Sequence, residues 1–294
     1  MKKNFNCLII GLGQIGMMYD YYKKTDVYLS HATSVLNLKR TKLYGAVDIS
    51  KEKRKLFTKK YRIKTFKNIK DIKKKNFDFI ILSTPTKTHY NLIRNITTNF
   101  RIKVLLCEKP FTNNFKEGSK IYDITKKKFK IFVNYPRIID PSLNILRNKI
   151  FKLSKIKGEV FYSKSLKNNG SHFINLFNVL FGKPISIKKI FNRSDVFLIN
   201  FKNAEIKFTK KNKNKTNNFY LENKDLKIDY RYTNKNIFIF KNKKKKIVPS
   251  FNNKINFHVI KNIEKFLLGK KVKLCTAKKA LETLKIIKKI EEIN

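Results

Sequence analysis

The chain has 294 residues, 41% of them hydrophobic, enough to bury one large core or two modest ones. Its formal net charge of +49 comes from 60 Lys against 9 Arg, and every successive stretch of the chain is basic. A nucleic-acid surface concentrates charge on one face and favours the planar Arg fork, so this even Lys excess speaks against a specific nucleic-acid binder. It accompanies abundant Asn, Ile and Phe, residues that share A/T-rich codons, and leaves an attraction for anionic substrates.

Met1–Ile10 carries two lysines and then a short apolar run, too short for a secretory core and followed by Gly11 with no small-residue cleavage site. No later stretch approaches the ~20 apolar residues of a membrane helix, so a cytoplasmic protein without a membrane segment is expected. Strands are predicted at Asn6–Ile10, Leu43–Val47, Phe77–Ser83, Lys103–Leu106 and Lys130–Val133, each a short run rich in Val, Ile, Leu and Phe. Amphipathic segments at Lys51–Lys60, His89–Thr97 and Asn114–Lys128 alternate with them, which implies a doubly wound α/β sheet. From Ile185 to Phe240 the pattern changes to β-type runs without helices between them: Asp195–Phe201, Glu205–Thr209, Lys227–Tyr232 and Asn236–Phe240. That reads as an antiparallel sheet, with the lysine runs Lys210–Lys215 and Lys241–Lys246 as solvated hairpin loops. Two helices, near Lys254–Leu268 and Thr276–Ile290, close the chain on either side of Gly269. The fold class is therefore α/β: a Rossmann domain over residues 1–133, then an α+β domain with a mostly antiparallel open sheet over 134–294. Cys7, Cys107 and Cys275 are widely spaced and form no metal-like pair, so no metal site is expected.

Gly11-Leu12-Gly13-Gln14-Ile15-Gly16 is a GxGxxG directly after the first strand. Gly11 allows the tight turn, Gly13 a close approach of the backbone to a pyrophosphate, and Gly16 close packing of the following helix, whose N-terminus faces the phosphates. Asp48, at the end of the second strand, is the carboxylate that would hold the adenosine ribose hydroxyls and repel a 2′-phosphate, which favours NAD over NADP. It lies further from the glycines than the usual spacing of about 20 residues, so Tyr19–Leu29 is expected to be an insertion at the helix's edge.

Three further motifs follow in order: Ser83-Thr84-Pro85 with His89 after one strand, Glu108-Lys109-Pro110 after the next, and Asn169-Gly170-Ser171-His172 at a helix start. Together with the glycine loop they resemble the glucose–fructose oxidoreductase / inositol dehydrogenase (Gfo/Idh/MocA) family of dinucleotide-dependent oxidoreductases. The likeness spans nearly the whole chain, strongest up to Pro141 and around His172. It implies that Ser83, Thr84, Pro85, His89 and Glu108 serve the cofactor and that Lys109, in the cleft between domains, meets the reacting hydroxyl. It implies further that Pro110 can follow a cis peptide, that His172 is catalytic, and that the open sheet joins copies of the chain in a homo-oligomer. Tyr135 and Arg137, in the crossing from Asn134 to Pro141, are expected at the substrate, Arg137 on a carboxylate or phosphate.

Oxidising a secondary alcohol requires a base near neutral pKa and a cation for the developing alkoxide. His172 suits the first role and Lys109 the second. Family members commonly carry an Asp one helical turn before this histidine. Asn168 stands there instead, able to orient the ring or contact substrate but not to titrate. The expected function is hydride transfer between NAD and a sugar, nucleotide sugar or cyclitol. A redox-inactive NAD-binding protein of the same fold is the alternative.

Overall fold

The apolar run that precedes the glycine loop forms a central strand in the computed structural model of the chain. The structure describes residues 4–23, 27–141, 155–190, 196–211, 217–224, 226–231, 236–241, 244–249 and 254–293. Six strands, β1 (Phe5–Ile10), β2 (Thr41–Val47), β3 (Thr65–Phe66), β4 (Asn76–Leu82), β5 (Arg101–Cys107) and β6 (Lys130–Val133), pair in the order β3-β2-β1-β4-β5-β6. Every pair is parallel. Their centres are covered on both faces, with consecutive residues such as Leu8 and Ile9 or Phe79 to Ile81 fully buried, which is why they read as continuous apolar runs. The short β3 carries no such run and was not anticipated.

Three helices follow the strands as expected: α2 (Lys51–Tyr61), α3 (Thr86–Asn99) and α4 (Phe115–Thr125). The Ser50 hydroxyl caps α2 by accepting from the Lys53 N–H, and Asn114 caps α4 through the Glu117 N–H. Helix α3 buries His89, Ile93 and Ile96 along one stripe, the spacing that makes it a covering helix. Chain order reverses between β1 and β4, so a ligand crevice is expected beyond the carboxyl ends of those strands.

A second unit is built on an eight-stranded sheet in the order β14-β13-β12-β11-β7-β10-β9-β8. Its strands are β7 (Ile156–Tyr162), β8 (Ser186–Lys189), β9 (Val196–Phe201), β10 (Ala204–Lys210), β11 (Asn218–Glu222), β12 (Lys227–Arg231), β13 (Asn236–Lys241) and β14 (Lys244–Pro249). Pairing is antiparallel except between β7 and β10, which run parallel, so the second sheet is mostly antiparallel, as expected. Side chains alternate: Ala204, Ile206 and Phe208 of β10 point into the core while Glu205 is exposed. Helix α5 (Ser171–Phe181) covers the apolar face, its Phe173 and Phe177 set edge-on to Phe219 at 6.1 and 5.4 Å between ring centres. Each such aromatic pair contributes about 1 kcal/mol beyond its buried area. The lysine run 241–246 is not all loop: β14 begins at Lys244 and pairs with β13. Residues 212–215 of the other run lie outside the described residues.

Residues Met1–Pro136 and Asn253–Leu281 form the first unit, Arg137–Asn252 and Glu282–Asn294 the second. Helix α6 (Ile255–Leu267) and the start of α7 (Ala277–Glu292) pack with the first unit, which the sequence reading placed in the second domain. A run such as Ile255–Leu267 is amphipathic whichever core it covers, and only contacts such as Thr41 donating to Glu264 (2.6 Å) assign it.

Candidate cofactor and active site

The glycine loop is anchored at its first residue, whose N–H donates to Val47 O at 2.8 Å. Gly11 has φ +101°, and a Cβ there would lie 2.6 Å from Ser83 O; a Cβ on Gly16 would lie 2.1 Å from Gly11 O. Gly13 differs, for a Cβ there meets nothing within 4 Å. Two glycines thus serve the chain's own packing, while the middle one leaves open space over the backbone, the cradle that a dinucleotide pyrophosphate requires. Asp48 ends β2 as expected, with one carboxylate oxygen accepting from Leu12 N–H (2.7 Å) and the other from Ser50 N–H (2.8 Å). A carboxylate offers about four acceptor sites, so capacity remains for ribose hydroxyls. Arg54, a candidate for a 2′-phosphate, places Nη1 on the carbonyls of Asp48 and Ile49 at 2.6 and 2.9 Å.

The helix expected directly after Gly16 is interrupted. Gly13–Met17 make a turn, with Met17 N–H on Gly13 O, and the chain passes through a 3₁₀ turn at Met18–Asp20 before α1 (His31–Leu36) begins. His31 N–H then donates to Ile15 O (2.8 Å) and Ala32 N–H to Gly16 O (3.0 Å), so α1 resumes the turn that the loop started. The excursion is broader than Tyr19–Leu29: among the described residues it takes in 17–23 and 27–30. Asp20, 2% exposed, closes it by accepting from the N–H groups of Leu29 and Ser30 and from the Thr33 hydroxyl.

At the carboxyl end of β4, the Ser83 hydroxyl donates to Gly11 O (2.8 Å), tying the Thr84-Pro85 turn to the glycine loop. His89 is fully buried, with Nε2 2.9 Å from Thr84 O and Nδ1 3.1 Å from Phe111 O. Burial pushes its pKa down, outweighing the carbonyls and the Glu108 charge that favour the cation. A neutral ring has one N–H, and the Cys107 thiol lies 3.4 Å from Nδ1. Burial holds that thiol protonated, so Cys107 can donate to Nδ1 while Nε2–H donates to Thr84 O. His89 therefore braces the Thr84 turn against Cys107 at the end of β5 from within the core.

At the end of β5, Glu108 is 9% exposed and receives four contacts' worth of fixation from its own unit: its N–H reaches Leu82 O, Oε1 accepts from His31 Nε2 (2.8 Å) and Asn134 Nδ2 (2.6 Å), and Oε2 accepts from Lys109 N–H (3.3 Å). Burial alone would raise its pKa, but the His31 and Asn134 hydrogen bonds and the Lys109 charge bring it below the usual Glu value. Asn134 reaches on to Asn256 (3.1 Å). The Lys109–Pro110 peptide is cis. His31, Asn134 and Asn256 were missed from the sequence. The signal for His31 was the excess spacing before Asp48, since a residue that ends an insertion must return to the loop it left.

Tyr135 is 2% exposed beside this cluster, in the first unit. In the second unit, Arg137 holds its guanidinium 5.0 Å from the Phe173 ring centre. Asn168 is exposed in a π-turn (Leu166–Gly170) whose start is capped by Ser165. Its N–H donates to Ser165 Oγ and its carbonyl accepts from Ser171 Oγ, both at 3.1 Å. His172 stands half-buried in the first turn of α5, as its motif predicted. Among the described residues no group of three or more His, Cys, Asp or Glu is arranged to hold a metal ion, and no helix is long and apolar enough to cross a membrane.

A parallel sheet with an open glycine loop after β1, an acidic residue closing β2 and the Glu108-Lys109-Pro110 turn after β5 is the arrangement of a dinucleotide-binding Rossmann fold. Residues 5–135 match the Gfo/Idh/MocA oxidoreductase family, NAD-binding Rossmann fold. Among solved structures the chain is similar to a dehydrogenase (MviM) from Clostridium difficile, with 19% identity, 98% and 99% of the two chains covered, and a TM-score of 0.81. It is also similar to the WlbA dehydrogenase from Bordetella pertussis, solved with NADH and UDP-GlcNAcA (13% identity, 99% and 95% covered, TM-score 0.78). A third is UDP-N-acetylglucosamine 3-dehydrogenase GnnA from Acidithiobacillus ferrooxidans (14% identity, 98% and 97% covered, TM-score 0.78). No curated protein matches the chain.

Proposed function

We propose that the protein is an NAD-dependent dehydrogenase of a secondary hydroxyl on a sugar, most specifically a nucleotide-linked sugar. The observation that carries the reading is the placement of Lys109 at the carboxyl end of β5, fixed through Glu108, on the sheet that presents the open Gly13 cradle. NAD, when bound, supplies the acceptor or donor of the hydride. Gly11–Gly16 and Asp48 hold it, and Ser83, Thr84 and Pro85 line its nicotinamide side. The Lys109 ammonium stabilises the alkoxide as it forms, and His172 takes the hydroxyl proton. Arg137, Tyr135 and Asn168 contact the substrate, Arg137 an anionic group. The net charge of +49 and the nucleotide sugars of the structural relatives both favour a diphosphate-bearing ligand. The protein acts as a homo-oligomer through the open sheet of the second unit and resides in the cytoplasm.

The test is a panel of UDP-sugars, free sugars and inositols scanned for NADH formation or consumption. Turnover is expected with at least one UDP-sugar, and Lys109→Ala should lower it about 10²-fold, the scale for one lost charge-stabilising donor, with NADH affinity kept. Tight NADH binding with no turnover across the panel would favour a redox-inactive NAD-binding protein.

A further inference from the structure

We propose that His31 is a positioning residue for Lys109, acting through the Glu108 carboxylate; this rests on the reading of Lys109 as the alkoxide partner. The described residues 17–23 and 27–30 leave the glycine loop and return where His31 N–H and Ala32 N–H bind Ile15 O and Gly16 O. That return, pinned by Asp20 on Leu29 N–H, Ser30 N–H and the Thr33 hydroxyl, carries the His31 ring into the core at 0% exposure. There Nε2 lies 2.8 Å from Glu108 Oε1, while Nδ1 is buried with no partner among the described residues. A neutral imidazole carries one proton, and only at Nε2 does it find an acceptor. The tautomer is thereby set, and the ring donates to the carboxylate.

Glu108 then stands between His31 and Lys109. Oε1 takes the donors of His31 and Asn134, which leaves Oε2 turned to the Lys109 N–H at the cis peptide. The titratable groups that face this carboxylate are His31 and Lys109; His89 feels its charge from the α3 side, and the Cys107 thiol stays neutral. A buried carboxylate stripped of one of its few donors reverts toward the protonated acid or turns away. Either outcome removes negative charge from beside Lys109 and frees its main chain. The Lys109 ammonium then loses a stabilising neighbour and a fixed direction. The orientation of the lysine is thus governed by a residue on the far side of an insertion, remote from it in sequence.

The experiment reads Lys109 without any substrate. Full-length protein is acetylated with trace acetic anhydride from pH 7 to 11, and each lysine's reactivity is resolved by peptide mass spectrometry. His31→Leu should move the Lys109 reactivity midpoint down by about one pH unit, a tenfold rise in labelling below the midpoint, relative to reference surface lysines. His31→Gln, whose amide can restore a donor near Nε2, should return it toward wild type. An unchanged Lys109 curve in folded His31→Leu overturns the proposal. Should that variant not fold, imidazole ¹⁵N NMR of the wild-type protein decides: a proton on Nε2 with Nδ1 bare is expected, and the opposite tautomer overturns the assignment. A failed sugar screen leaves both readouts standing, and a successful one does not rescue them.

Discussion

At the residue scale, the proposed role of Asp48 has one side chain serve fold and ligand together. Its carboxylate closes the glycine loop through Leu12 N–H and opens α2 through Ser50 N–H, so it is oriented before any ribose arrives. Such preorganisation makes it an effective partner for two hydroxyls and a repellent for a 2′-phosphate. The neighbouring Arg54 nitrogen is engaged with backbone carbonyls, which weakens its case as a phosphate ligand. Fluorescence titration should therefore show NADH bound more tightly than NADPH. Asp48→Ala should weaken NADH about tenfold and narrow the gap between the two. NADPH binding as tight as NADH in the unmutated protein would remove Asp48 from this role.

At the element scale, the turns after β4 and β5 are held by titratable groups whose pKa values burial and hydrogen bonding move. His89 and Glu108 both lie below their ordinary values in the folded chain. In each case the unfolded chain binds the proton more readily, so stability falls as pH falls. The loss from His89 begins below its unfolded value of about 6.5 and accumulates toward its folded one. The loss from Glu108 begins below about 4.3 and completes as pH falls through its depressed folded value. Urea midpoints measured from about pH 7.5 to 2.5 should decline in these two windows, and His89→Gln should flatten the upper one. A flat profile from pH 7 to 5.5 in the wild-type chain would show that His89 is no such brace.

The same elements show what the sequence could and could not reveal. Strands buried on both faces are legible because every residue is apolar, as in Ile80–Leu82, and the glycine loop because backbone sterics leave no substitute at Gly11 and Gly16. The strands β7, β11 and β14 were missed because half-buried strands of a lysine-rich chain carry Lys and Glu on their open face, and Lys244–Lys246 look like a loop. The places of Lys109 just after β5 and of His172 in the first turn of α5 were legible through their motifs. His31, Asn134 and Asn256 were not, since a buried polar residue is identified by its partner, and partners such as Glu108 lie 77 residues from His31.

At the scale of the whole molecule, a net charge of +49 draws any anion, NADH included, so binding alone does not distinguish a built site from the general field. Field-driven binding falls steeply with salt and is indifferent to one uncharged substitution, whereas a cradle depends on its shape. Gly13 separates the two, because its Cβ direction is open: Gly13→Val should fold normally while filling the space the pyrophosphate needs. The decisive measurement is an NADH fluorescence titration of wild type and Gly13→Val at low and high salt. The account predicts saturable single-site binding by the wild type that survives high salt, and its loss in folded Gly13→Val. Equal affinity in the two proteins, vanishing together as salt rises, would contradict it.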